Sequence, residues 1–446
     1  MKHMKQIHIG IIGLGTVGTG VARLLVENSD VISARLGAEL VFKKGADLDI
    51  ARDRGMNFAP GVLTTDPYEV INDPEIDIVL EMIGGIDLAR QFICRCIETG
   101  KHVVTANKAL LASHGNQLFR LAAEKGVALA YEASVGGCMP IIKTIRESLV
   151  GNRIQAVTGI LNGTCNYILT RITREGMSFE QALDLAKAEG YAEADPSLDV
   201  DGFDTAHKLA VLSAIAFGME INYDDIHIEG ISEITPMDIE FAAQCGYAIK
   251  LLAITKFDGQ SVEARVHPTM IPLEDMLSNV SGTMNAVTVS GDAVGDMILY
   301  GHGAGMMPTA SAVISDVVDI ARSIVAGGAM RVPVLSFRME QIRKMAVKPM
   351  DEIFTHYYFR FSAMDQPGVL AKIAGILGDH DISIKSVRQT ERKLNGAVPV
   401  YILTHQACEA QVKKALAKIA ELEVIPQPPV LIRMEAPEEE KAQQQS

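Results

Sequence analysis

The chain has 446 residues, 48% of them hydrophobic, no Trp and a formal net charge of −14. That length predicts two or three domains with sizeable cores, and the apolar fraction excludes global disorder. The acid excess argues against a nucleic-acid partner, which needs a basic face, and no stretch approaches the ~20 apolar residues of a membrane span.

From Gln6 the sequence QIHIGIIGLGTVGTGVARLLVE reads as an apolar strand, a tight turn and an amphipathic helix. The opening MKHMK runs into this strand too quickly for a signal peptide, so a cytoplasmic protein is expected. The turn carries Gly13, Gly15 and Gly18 in the G-x-G-x-x-G spacing of dinucleotide-binding loops. Gly13 permits the turn, Gly15 admits a pyrophosphate against the backbone, and Gly18 allows close helix packing. Leu14, Thr16 and Val17 complete the phosphate-facing loop, where the helix N-terminus offers N–H groups and a positive dipole end. Such a turn can be purely structural, but the strand before it and the helix after it favour a nucleotide. The second strand, Leu40 to Ala46, ends at Asp47, an acid suited to accept hydrogen bonds from the adenine ribose and so to favour NAD. Arg52 and Arg54 follow it and Lys43 and Lys44 precede it, so NADP stays open beside NAD.

EIDIVLEMIGG, KHVVTANK and VALAYEASVGG continue the alternation of short apolar strands and helical patterns expected of a doubly wound parallel sheet. Ligands bind at the carboxyl ends of such strands, which groups Gly84, Thr105 to Lys108 and Glu132 to Gly137 around one crevice. Lys108 there is either a group that stabilises an alkoxide beside a nicotinamide or a solvated lysine at a helix start. Pro140 opens a helix through Leu149, and RIQAVTGILNGTCNYILTRI then reads as strand, polar turn and helix. Gly159, Asn162, Gly163 and Thr164 in that turn suit a substrate pocket, though an ordinary connection explains them almost as well. ARVHPTMI, NAVTVSG and MILYGHGAG read as sheet, and a glycine turn ending at Gly305 leads into a helix able to close over the crevice. The six cysteines (Cys94, Cys96, Cys138, Cys165, Cys245 and Cys408) show no CxxC and no framework spacing, as expected of reduced thiols.

The most informative stretch is AKAEGYAEADPSLDVDGFDTAHK, Ala186 to Lys208. It holds Tyr191, Glu193, Asp195, Asp199, Asp201 and Asp204 in a loop punctuated by Gly190, Pro196 and Gly202, and Lys208 closes it. Asp204 and Lys208 stand at i and i+4 on the first turn of an apolar helix and share a face. Acids gathered around one lysine suit an enzyme that handles a charged amino acid, and a solvated acidic loop with a helix-start ion pair is the competing explanation. A calcium loop fails, because counted from Asp199 the glycine falls fourth and Ala210 stands twelfth.

Taken together, the chain resembles homoserine dehydrogenases. The resemblance rests on Ala186, Gly190, Tyr191, Asp195, Pro196, Asp199, Val200, Gly202, Asp204 and Lys208. It is joined by the glycine turn, TANK (Thr105 to Lys108), YEASVGG (Tyr131 to Gly137), GILNGTCNYIL (Gly159 to Leu169) and GAG followed by PTASAV (Gly303 to Val313). It runs from about Ile7 to about Ser336. The resemblance implies NAD(P)H-dependent, reversible reduction of L-aspartate 4-semialdehyde to L-homoserine, a step toward threonine, methionine and isoleucine. It implies that Lys208 is the proton donor and Lys108 a second active-site lysine near the nicotinamide. Glu193 is expected to hold the substrate ammonium, and Asp199 and Asp204 to bind substrate or orient the lysine, with Lys108 also in reach of substrate. Coenzyme contacts are expected from Gly13, Leu14, Gly15, Thr16, Val17, Gly18, Gly84, Thr105, Lys108 and Gly305. It further implies a monovalent cation, Na+ or K+, held through backbone carbonyls at Glu132, Val135, Gly137 and Met139. Another amino-acid dehydrogenase, or a non-catalytic sensor on the same fold, is disfavoured by the presence of the complete lysine signature.

A stretch from Arg343 to Thr355 has the look of a linker. After it, YYFRFSAMDQPGVLAKIAGILGDHDISIKSV, AVPVYILTH, EAQVKKALAKIAEL and VLIRME supply a βαββαβ order, the pattern of a ferredoxin-like unit. The turn Asp365-Gln-Pro-Gly-Val-Leu370 resembles ACT domains, which implies an amino-acid effector such as threonine or, alternatively, a structural or dimerising role. Many ligand-binding ACT domains carry asparagine where this chain has Asp381.

The expected architecture is thus α/β, with a Rossmann-type doubly wound sheet over 5–137 completed by helices in 308–340. An α+β catalytic and dimerisation domain is expected over 138–307, a linker over 341–355, an ACT domain over 356–434 and a disordered tail over 435–446. The family resemblance implies a homodimer or homotetramer.

Overall fold

A computed structural model describes residues 4–328, 332–389 and 396–435, so the tail read as disordered lies, apart from Glu435, outside the described residues. The first sheet consists of β1 (Gln6–Ile12), β2 (Glu39–Ala46), β3 (Leu63–Thr64), β4 (Ile78–Glu81), β5 (His102–Thr105) and β6 (Leu129–Ala130). Its order is β3-β2-β1-β4-β5-β6 and every pairing is parallel, so the chain winds outward in both directions from β1. The central strands β1 and β4 are apolar on both faces because helices cover both. One face is covered by the helix Met306–Ala326, which returns from far along the chain. Its Ala310, Val313, Val317 and Ile320 join Ile7, Ile9, Ile11, Val21 and Leu25 in one apolar core.

The second sheet begins with β7 (Ile154–Ile160), β8 (His227–Ile228), β9 (Tyr247–Phe257), β10 (Val262–Pro272), β11 (Met284–Gly291) and β12 (Gly295–His302). It is completed by β13 (Phe354–Met364), β14 (Ile384–Gln389), β15 (Ala397–Thr404), β16 (Ala407–Cys408) and β17 (Val430–Met434). The main path runs β12-β11-β7-β9-β10-β17-β13-β15-β14, eleven strands when β8 and β16 are included. The last four strands of that path are the ferredoxin-like βαββαβ unit, whose helices Val369–Asp379 and Glu409–Ala420 bury Ile373, Leu377, Val412 and Ile419 against it. The sheet is continuous because β17 pairs in parallel with β10, Thr269 opposite Arg433 and Met270 opposite Met434. The stretch read as a linker is likewise fastened to the catalytic unit. Arg343 donates to Gly218 and accepts from Glu220, and Lys348 and Ala346 bracket Val262.

Behind the β7-to-β10 part of the sheet runs the helix Phe203–Phe217. It is rich in Ala and Leu, and thirteen of its fifteen residues are buried, including Asp204 and Lys208. A helix this apolar on all sides can only sit in a core. Gly202 starts it at φ 89° and Gly218 ends it in the left-handed conformation, φ 67°, that glycine adopts without strain. The segment expected to be a helix from Pro140 to Leu149 is one turn of α-helix, Ile141–Lys143, running into a π-helical turn, Thr144–Ser148. A π turn widens a helix by one residue and is frequent beside functional sites.

Candidate active site

The glycine turn has the three-part division of labour its spacing implies. Gly13 lies at φ 96°, and a Cβ there would be 2.7 Å from the Met82 backbone. A Cβ on Gly18 would stand 1.9 Å from the Gly13 carbonyl oxygen, so this close helix approach admits only glycine. Around Gly15, the N-cap of the helix Thr16–Glu27, there is open space within 4 Å of where a Cβ would be. The helix N-terminus therefore faces a gap able to take a phosphate.

Leu14 differs from its expected role. Its N–H already donates to Asp47 at 2.7 Å, and its carbonyl accepts from Thr19 and from Arg54 Nε. Asp47 and Arg54, which seemed to pull toward NAD and NADP respectively, form an ion pair with each other at 3.2 Å. The Arg54 side chain is 2% exposed and also donates to the carbonyls of Asp49 and Arg52. These two residues brace the glycine turn from behind. Lys43 and Lys44 are engaged by Asp73, Glu75 and Glu69 on the neighbouring elements.

At the carboxyl ends of β4 and β5, Thr105 donates to buried Glu81 at 2.6 Å and accepts from the Asn107 N–H. Gly84 and Gly85 turn the chain at φ 71° and 70°. Asn107 caps the next helix through Leu110 N–H and donates to the Gly85 carbonyl at 2.6 Å. This lattice fixes Lys108 as the first residue of the helix Lys108–Lys125, and its Nζ lies 3.1 Å from Asp204 Oδ1. Lys208 Nζ donates to the other oxygen, Asp204 Oδ2, at 2.6 Å and to the Leu161 carbonyl at 2.6 Å. One carboxylate thus joins two lysines from separate parts of the chain. Burial pushes the Asp204 carboxyl up, but the Lys208 and Lys108 ammoniums and the hydrogen bonds from Lys208 and Asn162 outweigh it and hold it well below the usual carboxylate range. The attraction of Asp204 raises Lys108 against the effect of burial, with Asp199 and Glu193 adding to it.

The sequence offered Asn162 only as one member of a polar turn suited to a substrate pocket, and the structure places it directly on the acids. It caps the helix Gly163–Glu175 through its Oδ1, and its Nδ2 donates both to Asp199, at 2.7 Å, and to Asp204, at 3.0 Å. The available signal was an asparagine at a helix N-cap, a position it fills for structural reasons in most proteins. Burial raises the Asp199 carboxyl above its ordinary value. Glu193 is exposed at the rim, and Asp195 is occupied with the Ser197 N–H and hydroxyl. Thr164 donates to the Tyr191 carbonyl at 2.7 Å, tying the acidic loop to the NGT turn.

The Glu132–Met139 segment borders the same crevice. Glu132 begins a short 3-10 turn with its N–H on Asp316 and its carboxylate accepting the N–H groups of Ile142 and Lys143. Burial and the neighbouring Asp316 push that carboxyl up to about 8. Gly137, at φ 59°, abuts Gly303, and Cys138 N–H donates to the His302 carbonyl. Val135 and Met139 are fully buried in this turn, and Gly305 caps the helix Met306–Ala326 close by. Among the described residues there is no cluster of three or more His, Cys, Asp or Glu able to hold a metal ion.

A glycine-turned parallel sheet whose crevice meets two lysines on one aspartate defines a nicotinamide-dependent oxidoreductase. The chain's own family is shown by comparison. Residues 13–132 match the model of the homoserine dehydrogenase NAD-binding domain, 140–318 that of homoserine dehydrogenase, and 357–424 that of the ACT domain. The homoserine dehydrogenase of Neisseria gonorrhoeae is 44% identical over 97% of this chain and 99% of its own length. A crystal structure of a homoserine dehydrogenase from Thiobacillus denitrificans superposes with a TM-score of 0.92 at 45% identity, covering 98% of this chain and 99% of that one. A hyperthermophilic archaeal homoserine dehydrogenase in complex with NADPH gives 0.62 at 26% identity, covering 73% of this chain and all of that one. The chain belongs to the homoserine dehydrogenase family and carries an NAD(P)-binding domain and a C-terminal ACT domain.

Proposed function

We propose that the protein reduces L-aspartate 4-semialdehyde to L-homoserine, reversibly, as a step toward threonine, methionine and isoleucine. The observation that carries this reading is the sharing of Asp204 between Lys208 and Lys108. When bound, the reduced nicotinamide coenzyme supplies the hydride that adds to the carbonyl carbon. The growing negative charge on the carbonyl oxygen needs a donor, and an ammonium carries three. Asp204 and Leu161 accept two of the Lys208 donors, which leaves the third for the substrate oxygen. Lys208 then gives its proton to that oxygen and takes it back in the oxidation direction. Lys108, whose side chain is 39% exposed, lies toward the crevice, where it polarises the same oxygen beside the coenzyme. Glu193 and Asp199 offer carboxylates to the substrate ammonium.

The coenzyme sits on Gly13, Gly15 and Gly18, the N–H groups of Thr16 and Val17, and the rim formed by Gly84, Thr105, Lys108 and Gly305. Leu14 serves through its ties to Asp47 and Arg54 and has no free N–H to offer. NADPH is supported by the archaeal relative's complex, and the mutual pairing of Asp47 with Arg54 leaves NADH acceptable. Carbonyl oxygens of Glu132, Val135, Gly137 and Met139 make a hard donor set suited to Na+ or K+. Gly136 and Gly137 are both at positive φ there, a turn that side chains would strain. We place the coenzyme domain at 5–137 with the helices of 308–340, the catalytic and dimerisation domain at 138–307, a linker at 341–355 and the ACT domain at 356–434. Residues 329–331 lie outside the described residues. Feedback by threonine is supported only by the presence of the ACT domain, matched over 357–424. A dimer or tetramer is supported by β12, which ends the sheet with no further strand on its outer edge among the described residues. No helix among the described residues is long and apolar enough to cross a membrane, and we place the enzyme in the cytoplasm.

The test is oxidation of NADPH and NADH by the purified protein with L-aspartate 4-semialdehyde, with and without Na+, K+ and millimolar L-threonine. Turnover with either coenzyme is expected, and inactivity with both would overturn the assignment.

A further inference from the structure

One buried side chain of the ACT unit grips the segment that underlies the substrate loop. Arg433 on β17 is 2% exposed, and its guanidinium forks onto Glu229, Nη1 to Oε2 at 2.7 Å and Nη2 to Oε1 at 3.0 Å. On its other edge it holds Glu409, the first residue of an ACT helix, through Nε at 2.9 Å and Nη2 at 2.5 Å. Tyr357 donates to the same Glu409 at 2.8 Å. Glu229 belongs to the catalytic unit. It follows β8, and its N–H donates to Val266 on β10.

What Glu229 is attached to makes the contact consequential. At Gly230 a Cβ would lie 2.3 Å from the Val200 carbonyl oxygen and 2.7 Å from the Asp201 Cα, and Ile231 N–H donates to that same Val200 oxygen at 2.9 Å. A Cβ on Gly202 would in turn meet Ile228, Val266 and the Glu229 carbonyl at 3.1 to 3.3 Å. Val200, Asp201 and Gly202 form the turn between Asp199 and Asp204. The 228–231 segment is therefore the bed on which the two acids around the lysines are seated, and at Gly230 it meets that turn backbone to backbone.

We propose that Glu229 is a positioning residue, through which Arg433 of the ACT unit sets the spacing of Asp199 and Asp204 around Lys208 and Lys108. The hold acts on substrate geometry and not on the coenzyme turn, which lies on the other sheet. It gives the ACT unit a short mechanical route to the site: arginine, glutamate, one glycine, one turn. This inference rests on Asp199, Asp204 and Lys208 forming the substrate site, a reading that Lys208→Ala tests separately by loss of turnover.

The experiment is steady-state kinetics on full-length Glu229→Gln, Arg433→Gln and the double variant, with Gly230→Ala as a variant that presses the same turn without touching the ion pair. Each is expected to raise KM for the semialdehyde or lower kcat/KM by roughly tenfold, the scale of couplings between linked sites. KM for the coenzyme should stay put. The double variant should lose less than the sum of the two single ones, because both remove the Arg433–Glu229 fork, although Arg433→Gln also releases Glu409 and Glu229→Gln also alters the His227 contact. Asp238→Asn, which loosens the ACT unit at a different contact, controls for general destabilisation and should leave the substrate KM unchanged. If the Glu229 and Arg433 variants lower the melting temperature while their substrate KM stays at the wild-type value, or if their effects simply add, the positioning role is overturned. If Glu229→Gln fails to fold, an unchanged substrate KM in Gly230→Ala overturns it as well.

Discussion

At the head of the helix Phe203–Phe217 two lysines converge on one aspartate, while beneath the last strand one arginine is gripped by two glutamates. Both clusters bury formal charge, but they are closed to different degrees. Arg433 makes four contacts to carboxylate oxygens from two sides. A second junction cluster repeats this closure, with Arg360 and Tyr358 converging on Asp238, which is 0% exposed, at 2.7 to 3.1 Å. At the substrate cluster Lys208 has fewer acceptors than donors, and Lys108 is open to the crevice. A guanidinium with its planar fork filled fixes two surfaces to each other; an ammonium with a donor to offer can act on something that arrives. Under the proposed function, that difference in closure separates the part that holds from the part that reacts.

That contrast can be broken in four ways, beginning with the largest effect. Lys208→Ala is expected to lower kcat for semialdehyde reduction by about 10³-fold, the usual worth of a general acid, with coenzyme binding preserved. Near-full turnover in a NADPH-oxidation assay would mean that the proton comes from elsewhere. Asp204→Asn leaves two lysines facing a neutral amide, and we expect kcat/KM to fall by about 10²-fold and stability by about 3 kcal/mol, read by kinetics and urea unfolding on the same sample. Asp238→Asn should show the stability loss without the kinetic one. It strands Arg360 at a cost of about 3 kcal/mol, visible as faster hydrogen exchange along β13, while kcat stays unchanged. A fall in kcat comparable to that of Asp204→Asn would erase the distinction between the two clusters.

The smallest effect is in pH. Burial pushes the Asp238 carboxyl up, but hydrogen bonds from Arg360 and Thr235 and the Arg360 charge outweigh it, so the folded protein holds it below its ordinary 3.8. In that range the unfolded chain binds more protons than the folded one. The stability Asp238 confers is therefore complete above about pH 3.8 and is lost as the pH falls through the lower folded value. The urea midpoint of the wild type should drop through this acid window, and that of Asp238→Asn should drop less steeply. Equal slopes would remove Asp238 from the acid response.

Much of the fold could be read directly because its signals are local. The glycine turn, the alternation of strands and helices up to β5 and the βαββαβ order all appear within short windows. β9 went unread because YAIKLLAITKF is buried on both faces for most of its length and so lacks the alternation that marks a half-exposed strand. In the site, Asp204 and Lys208 were legible as a helical i, i+4 pair. The contact between Asp204 and Lys108 joins residues on two different helices, and no spacing rule reports such a meeting. The family resemblance put both residues in one site without giving their contact. Asp47 and Arg54 were each read for what they would offer a ribose, yet they are engaged with each other, since a side chain's partner is fixed by tertiary packing and not by residue type. Arg433 gave no signal at all. In VLIRME it looks like an outward-facing strand residue, and only the docking of β17 beside β10 turns it inward.

The joining of β17 to β10 also has a consequence during synthesis. Strand β10 finds its neighbour β9 next to it in sequence, but the partner for its far edge at Thr269 and Met270 is the last strand of the described chain. While a ribosome is still building the C-terminal unit, β8 already covers that edge at Arg265 and Val266, but the part at Thr269 and Met270 stays bare, the kind of surface that pairs with other chains. Chains cut short before Val430 should therefore lose solubility out of proportion to the five residues of β17, because the final strand works as the closing seam of a sheet made much earlier.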